Sequence, residues 1–286
     1  MSYKTMLMPW DTPTGQVIDP AADAAAALAR RFGAHLVVMA TGVEPGIAAY
    51  GFGGPGAATI AMQSAAAAEE AEARRSAAAA WLTERAQTDA PLVGEARVIT
   101  GPLEVLSDLL AQEVRVVDLA IMPAPYAIPE REDLAVALLE AALFEGSVPV
   151  LVFPSTPMEV IGRRVIIAWD GGVEATHALR GAMPFLKEAE AVEVTLVDPE
   201  VAADGDEAPG AAVVRMLQRH GVKAEVALLE SGGRRVGRVL CDRFEETSAD
   251  LLVMGAYSHS RLREALIGGP TREILKTVPG PVLMAH

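Results

Sequence analysis

Residues 250–271 combine glycines, hydroxyl side chains and basic side chains in a pattern that suits the binding of an oxyanion. An apolar run, 251–254, ends at a glycine, and a glycine pair precedes a helical pattern. Glycine lets backbone N–H groups approach an anion closely, and a helix N-terminus adds partial positive charge. The segment holds two arginines and a histidine, although the whole chain carries a net charge of −14. The candidate binding residues here are Met254, Gly255, Ser258, His259, Arg261, Gly268, Gly269 and Thr271.

The elements that must position this segment alternate between short apolar runs and amphipathic or alanine-rich stretches. This order predicts parallel strands joined by right-handed crossovers. In the first half we expect strands at 4–9, 35–40, 95–100, 118–122 and 148–153. Helices are expected at 20–32, 60–90, 102–114 and 130–144, with a long loop at 42–59.

The series of elements restarts after a linker at 154–157. Trp10-Asp11 returns as Trp169-Asp170 at an offset of 159, whereas 118–122 and 148–152 return at an offset of 132. The difference of 27 residues is an extra loop and a longer helix between strands two and three of the first half. Such a repeat predicts two tandem Rossmann-like α/β domains, at 1–154 and 163–286, each a five-stranded parallel sheet with helices on both faces.

Further elements of the second half follow from the same patterns. Helices are expected at 173–186, 208–220 and 235–247, and strands at 164–170 and 192–197.

The repeat also serves as an internal control on the glycine-rich segment. At the offset of 132 its glycines fall on Pro123, Val136 and Ala137. We therefore predict that the second half alone binds a ligand.

Composition limits the classes of partner. The sequence pI of about 4.8 argues against nucleic acid or an anionic membrane surface. One cysteine fits a reducing compartment, and neither a signal peptide nor a run of about 18 apolar residues is apparent. The five histidines show no paired spacing that predicts a metal site. These features predict a cytoplasmic protein.

The duplicated β/α unit, with Asp after strand one and a glycine loop after strand four, resembles the universal stress protein family, whose domains have an adenine nucleotide alpha hydrolase-like fold. Nucleotide-binding members of that family carry Gly-x2-Gly-x9-Gly-(Ser/Thr). Here the pattern runs from Gly255 to Gly269 with the same spacing. Ser258 stands in place of the second glycine, and Gly269 in place of the final Ser or Thr.

The resemblance implies a role for each matching position. Asp170 would contact the adenosine part, and the backbone of Val197 would hydrogen-bond the adenine edge. Gly255 and Ser258 would form the ribose and phosphate turn, while Gly268 and Gly269 would begin the triphosphate-binding helix. Thr271 or Ser260 could supply the hydroxyl that Gly269 lacks, and the position of Arg261 in the loop favours a phosphate contact. The predicted set also includes His259 and the strand-end residues Ala168 and Met254.

The implied ligand is ATP, or AMP or ADP, and Mg²⁺ can accompany it. The implied function is regulatory stress response, with the two domains forming an intramolecular pseudo-dimer through their last strands and a homodimer as a further option. Two alternatives stay open. The chain could be an interaction module that binds no nucleotide, or a slow ATP hydrolase that uses His259 and Glu264, although no catalytic residue is assigned.

Simpler interpretations exist for Asp170 and for a second glycine-rich run. Asp170 could serve only as the N-cap of the next helix, because Asp is a preferred cap residue. The run 51–56 satisfies G-x-G-x-x-G, but it contains a proline and lacks the tight strand-to-helix turn of a dinucleotide site. We interpret this run as a loop.

Overall fold

The structure, a computed structural model, describes residues 2–11, 20–46, 57–87, 91–158, 160–200, 207–256 and 269–286. The chain divides into two compact units, residues 2–148 and 149–286. The predicted division between 154 and 163 follows the sequence repeat. The compact units follow packing instead, and packing groups the last strand of the first series with the second unit.

The first unit alternates strands and helices. Its strands are β1 Thr5–Trp10, β2 His35–Val43, β3 Gly94–Gly101 and β4 Leu119–Pro123. Its helices are α1 Pro20–Phe32, α2 Ala57–Ala86, α3 Leu103–Val114 and α4 Glu132–Glu140. A 3₁₀ turn, Pro129–Arg131, precedes α4, and a π-helical turn, Ala141–Glu145, follows it.

The second unit begins with a strand of the first series and then repeats the pattern. Its strands are β5 Val150–Phe153, β6 Arg164–Ala168, β7 Ala191–Val197, β8 Ala224–Leu229, β9 Leu251–Gly255 and β10 Val282–Ala285. Its helices are α5 Val173–Gly181, α6 Met183–Leu186, α7 Ala211–Arg219, α8 Val236–Glu246 and α9 Pro270–Thr277. None of the described helices of either unit combines the length and apolar character needed to cross a membrane.

Both units order their strands in the same way. The first has β3-β2-β1-β4, and the second has β8-β7-β6-β9-β10, with every neighbouring pair parallel. The predicted α/β fold class is confirmed. In this order β1 and β6 each lie between two strands whose helical connections leave in opposite directions, and ligands bind open sheets at such a point.

The last strands of the two series pair with each other. β5 runs antiparallel to β10, with Leu151 opposite Leu283 and Val152 opposite Val282. Both strands are fully buried, which explains why their residues are continuous apolar runs rather than alternating ones. These are the strands that the sequence marks as available for edge pairing.

Local chemistry explains where the structure departs from the predicted elements. The helix expected at 173–186 is interrupted at Ala182, because Pro184 lacks the N–H that a continuous helix needs. β2 continues through Val43, into the predicted loop. The sequence patterns assign no residues to β8, an edge strand that is partly or fully exposed along its length and lacks a clear apolar alternation. The run 51–56 lies outside the described residues.

An aspartate fixes the register of β1 in the first unit, and another fixes that of β6 in the second. Asp250, just before β9, accepts backbone N–H groups from Gly162 at 2.8 Å, Arg163 at 3.2 Å and Arg164 at 3.0 Å. Asp118, just before β4, accepts those of Lys4 at 2.6 Å and Thr5 at 2.9 Å. The carboxylate therefore sets how far the neighbouring strand extends towards the carboxyl edge of the sheet.

We predict that Asp250→Ala lowers the free energy of unfolding of the second unit by about 1–3 kcal/mol, because backbone donors lose their acceptor. Asp242→Ala serves as control, since Asp242 makes only exposed ion pairs with Arg234 and Arg238, at 2.9 and 2.8 Å. Such pairs contribute at most about 1 kcal/mol. Urea unfolding of both variants measures the difference. Equal losses would show that the carboxylate of Asp250 does not hold the strand register.

Candidate functional site

The turn after β6 places Asp170 at the carboxyl edge of the second unit's sheet. Asp170 is exposed, and its Oδ1 accepts the N–H of Gly172 at 2.8 Å. Gly171 closes the turn with a φ of 81°, which favours glycine. Gly172 is the N-cap residue of α5, so Asp170 supports the helix only through the N–H of that residue. Among the described residues its second carboxylate oxygen has no hydrogen-bond partner and can accept one from a ligand.

The carbonyl of Val197, at the end of β7, points past the end of β6. The N–H of Trp169 donates to the carbonyl of Thr195 at 2.9 Å, so the carbonyl of Thr195 faces β6. Carbonyls alternate in direction along a parallel strand, and that of Val197, two residues further on, faces the same way. The paired register of β6 and β7 has already ended at Ala168 and Thr195. The backbone of Val197 is therefore placed to bind the hydrogen-bonding edge of a ligand.

Asp198, the residue after Val197, is held in a backbone conformation that is uncommon outside glycine, with a φ of 48°. Its Oδ1 accepts the N–H of Ser231 at 2.8 Å. Hydrogen bonds from the Ser231 hydroxyl and N–H hold the pKa of the Asp198 carboxyl below its usual value. They join the end of β7 to the loop after β8, beside an open cavity of about 590 Å³. Sequence reasoning missed both residues; the available signal was an aspartate directly after an apolar strand.

Gly255 ends β9 where the backbone of another element comes very close. A Cβ at this position would lie 2.7 Å from the backbone nitrogen of Ala175 and 2.9 Å from the carbonyl carbon of Glu174. These atoms belong to the first turn of α5. The glycine therefore lets the start of α5 pack against the end of β9, which brings this helix and strand together at the carboxyl edge.

Gly269 and Thr271 lie at the start of α9. Gly269 is its N-cap residue and has a φ of 129°, in the region that favours glycine. A Cβ there would meet no atom of the described residues within 4 Å, and the positive φ is a reason for the glycine. Thr271, in the first turn, is 7% exposed. The hydroxyl of Thr271 is therefore largely shielded from solvent.

The sheet brings three of the predicted elements together. Ala168 of β6 lies opposite Thr195 of β7 on one side and Met254 of β9 on the other. Val197 and Gly255, the last residues of β7 and β9, and Asp170, two residues after β6, consequently lie at one edge of the sheet. The remaining predicted residues, Ser258, His259, Arg261 and Gly268, lie outside the described residues. No group of three His, Cys, Asp or Glu side chains in the described part of the chain is arranged to hold a metal ion.

Comparison with known proteins identifies the second unit. Residues 162–286 match the model of the Universal stress protein family. Residues 162–286 form a universal stress protein domain. A universal stress protein of Synechocystis sp. is 30% identical over 142 residues, which are 47% of this chain and 46% of that protein. The chain thus spans about half the length of this curated relative.

Solved structures resemble nearly the whole chain. A universal stress protein from Archaeoglobus fulgidus DSM 4304 has a TM-score of 0.68 and 15% identity, covering 98% of this chain and 95% of its own. A candidate universal stress protein from Pseudomonas aeruginosa UCBPP-PA14 has a TM-score of 0.58 and 17% identity, covering 98% and 92%. At these identities the likeness concerns the fold alone. It supports the α/β class for the first unit as well as for the universal stress protein domain.

The carboxyl edge of the first unit differs from that of the universal stress protein domain. Asp11, at the position of Asp170, lies 3.4 Å from Arg131 in an ion pair. Trp10 is 3% exposed and packs on Trp81 of α2 with ring centroids 5.3 Å apart, whereas Trp169 is only half-buried. The cavity beside Asp11 measures about 190 Å³. It is smaller than the roughly 300–1,000 Å³ of typical ligand pockets.

Another cavity of the universal stress protein domain lies at the opposite edge of its sheet. It measures about 770 Å³ and is lined by residues at the amino ends of β6, β7 and β8, among them Arg164 and Glu193. The carboxylate of Glu193 is already bound there by Arg243, with N–O distances of 2.9 and 2.6 Å. We assign the candidate site to the carboxyl edge, because ligands bind open parallel sheets at that edge.

We predict that Gly255→Ala destabilises the universal stress protein domain by about 1–3 kcal/mol, because the added methyl group meets the backbone of α5. Gly46→Ala is the control: a Cβ there meets no atom of the described residues within 4 Å, and the residue has no positive φ. Thermal or urea unfolding measures the two changes. If Gly255→Ala is as stable as Gly46→Ala, the close approach of α5 is not a constraint on this position.

Proposed function

We propose that the C-terminal unit binds an adenine nucleotide, ATP or AMP, at the carboxyl ends of β6, β7 and β9, and that the bound nucleotide regulates a stress response. The observation that carries this proposal is the placement of Asp170, Val197 and Gly255 at the carboxyl ends of three neighbouring parallel strands. The order of the sheet makes β6 the switch point between connections of opposite direction. Open α/β sheets bind their ligands at this place.

The chemistry of the described residues suits an adenosine group. The carboxylate oxygen of Asp170 that has no partner among the described residues can accept a hydrogen bond from a ribose hydroxyl, and the backbone of Val197 can bind the adenine edge. Gly269 starts α9, an eight-residue helix, and the N–H groups of its first turn suit a phosphate. Ser258, His259, Arg261 and Gly268 are further proposed contacts, on the strength of the family motif. Mg²⁺ would be held largely by the nucleotide phosphates.

A regulatory role follows from differential affinity. A nucleotide that prefers one conformation or association state shifts the population towards that state by its difference in affinity. The proposal includes a cytoplasmic location and a pseudo-dimer made by the pairing of β5 with β10. His259 and Glu264, on which an ATP hydrolase would depend, lie outside the described residues, and no described residue favours that activity.

We predict that Asp170→Ala weakens AMP binding by roughly 10-fold to 100-fold, since a hydrogen bond to a charged group contributes about 1.5–3 kcal/mol. Isothermal titration of the whole chain measures the affinity. Asp11→Ala is the matched control, because Asp11 holds the same position in the first unit and is paired with Arg131. Unchanged affinity in Asp170→Ala, or an equal loss in Asp11→Ala, would contradict the proposed site.

A further inference from the structure

The first unit contains a position equivalent to Val197. The register pairs Thr5 of β1 with His35 of β2, and Arg164 of β6 with Ala191 of β7. Continuing β2 and β7 by six residues from these pairs leads to Thr41 and Val197. The carbonyl of Thr41 therefore has the orientation argued for Val197, past the end of the neighbouring strand. The residue itself is 0% exposed.

An arginine of α2 occupies this carbonyl. Arg74 Nη1 donates to the carbonyl oxygen of Thr41 at 2.7 Å, and its Nη2 donates to Glu70 at 2.5 Å. The side chain of Arg74 is 14% exposed, whereas that of the adjacent Arg75 is 34% exposed. Arg75 instead pairs with Glu72 on the outer part of the helix. The two neighbouring arginines thus have different surroundings.

The helix that carries Arg74 packs directly on the end of β2. A Cβ at Gly42 would lie 2.7 Å from Ala71 Cβ and 2.9 Å from the carbonyl oxygen of Ala67. This close approach explains the glycine after Thr41. The cavity of about 190 Å³ that is left there is lined by charged side chains on several elements: Asp11, Glu70, Arg74 and Arg131.

We propose that Arg74 closes the first unit's counterpart of the nucleotide site by taking the carbonyl that a ligand would otherwise bind. This inference rests on the proposed function, which makes the carbonyl equivalent to that of Thr41, at Val197, a binding group for adenine. The guanidinium donates to the Thr41 carbonyl as an exocyclic amino group of a purine would. Arg74, Glu70 and Ala67 of α2 line the cavity of about 190 Å³ that remains beside it. Helix α2 has 30 residues, whereas α7, which follows β7 in the second unit, has 9.

With the closure, two independent features explain why a chain of two similar units would bind only one nucleotide. The first unit lacks the glycines of the phosphate-binding pattern, as the sequence shows. It also has its base-binding edge satisfied from within, as the structure shows. Loss of the glycines would leave an adenosine site without phosphate contacts. The Arg74 contact removes that site too.

The test is the number of adenosine molecules bound by the full chain, measured by equilibrium dialysis with labelled adenosine up to about 1 mM, the range of weak ligand binding. Adenosine is the probe because it needs no phosphate contacts. We expect Arg74→Ala to bind one equivalent more than the unmodified chain, since the truncation frees the Thr41 carbonyl and enlarges the cavity. Arg75→Ala, the matched control on the same helix, is expected to bind the same number as the unmodified chain.

The difference between Arg74→Ala and the unmodified chain tests the closure separately from the proposed function. If the unmodified chain binds no adenosine and Arg74→Ala binds one equivalent, the result would support the closure and contradict nucleotide binding by the second unit. Equal counts, a gain in Arg75→Ala, or two equivalents on the unmodified chain would overturn the closure.

Hydrogen exchange on the unmodified chain gives a second test that does not depend on the variant folding. We expect residues 38–43 at the end of β2 to be protected without ligand and to be unchanged by adenosine. Added protection in this segment on adenosine binding would overturn the closure.

Discussion

The carboxylate of Asp250 determines where β6 lies relative to β9, because it accepts three consecutive backbone N–H groups at the start of β6, the last of them from Arg164. All other features of the candidate site depend on this register. It decides that Asp170 and Gly255 reach the same edge of the sheet, where α5 can pack on the glycine. Asp118 does the same for β1 and β4, so the two units share a frame although their edges differ.

The two edges differ in what covers them. In the second unit Trp169 is half-buried and one oxygen of Asp170 has no partner among the described residues. In the first unit α2 covers Trp10, packs on Gly42 and places Arg74 on the Thr41 carbonyl. Most of the residues that the first half has in addition to the second belong to this helix. Among the described residues, one oxygen of Asp170 thus stays unpaired at the edge of the second unit, whereas α2 occupies the corresponding edge of the first unit.

The fold was predictable because the signals are short and local. Apolar runs such as 251–254, and α1 with its sharp ends, follow directly from pattern and length. The return of Trp-Asp at 169–170 predicted the repeat and the position of Asp170. β8 was not predicted, because an exposed edge strand has no buried face that would require apolar and polar residues to alternate. Gly255 was predicted as a turn glycine, whereas packing against α5 explains it. The Arg74 contact joins residues 33 positions apart in the sequence. No local pattern indicates it, and only the register of the paired strands in the structure shows its meaning.

The most direct measurement of the central claim is the number of adenine nucleotides held by the purified full chain. The protein is denatured, and the released nucleotide is quantified by anion-exchange chromatography with mass detection. The sample is then titrated with millimolar ATP and Mg²⁺ to fill any empty site. The account predicts one nucleotide per chain, bound in the second unit. Two per chain would contradict the closed first unit, and none, released or bound, would contradict nucleotide binding and favour an interaction module.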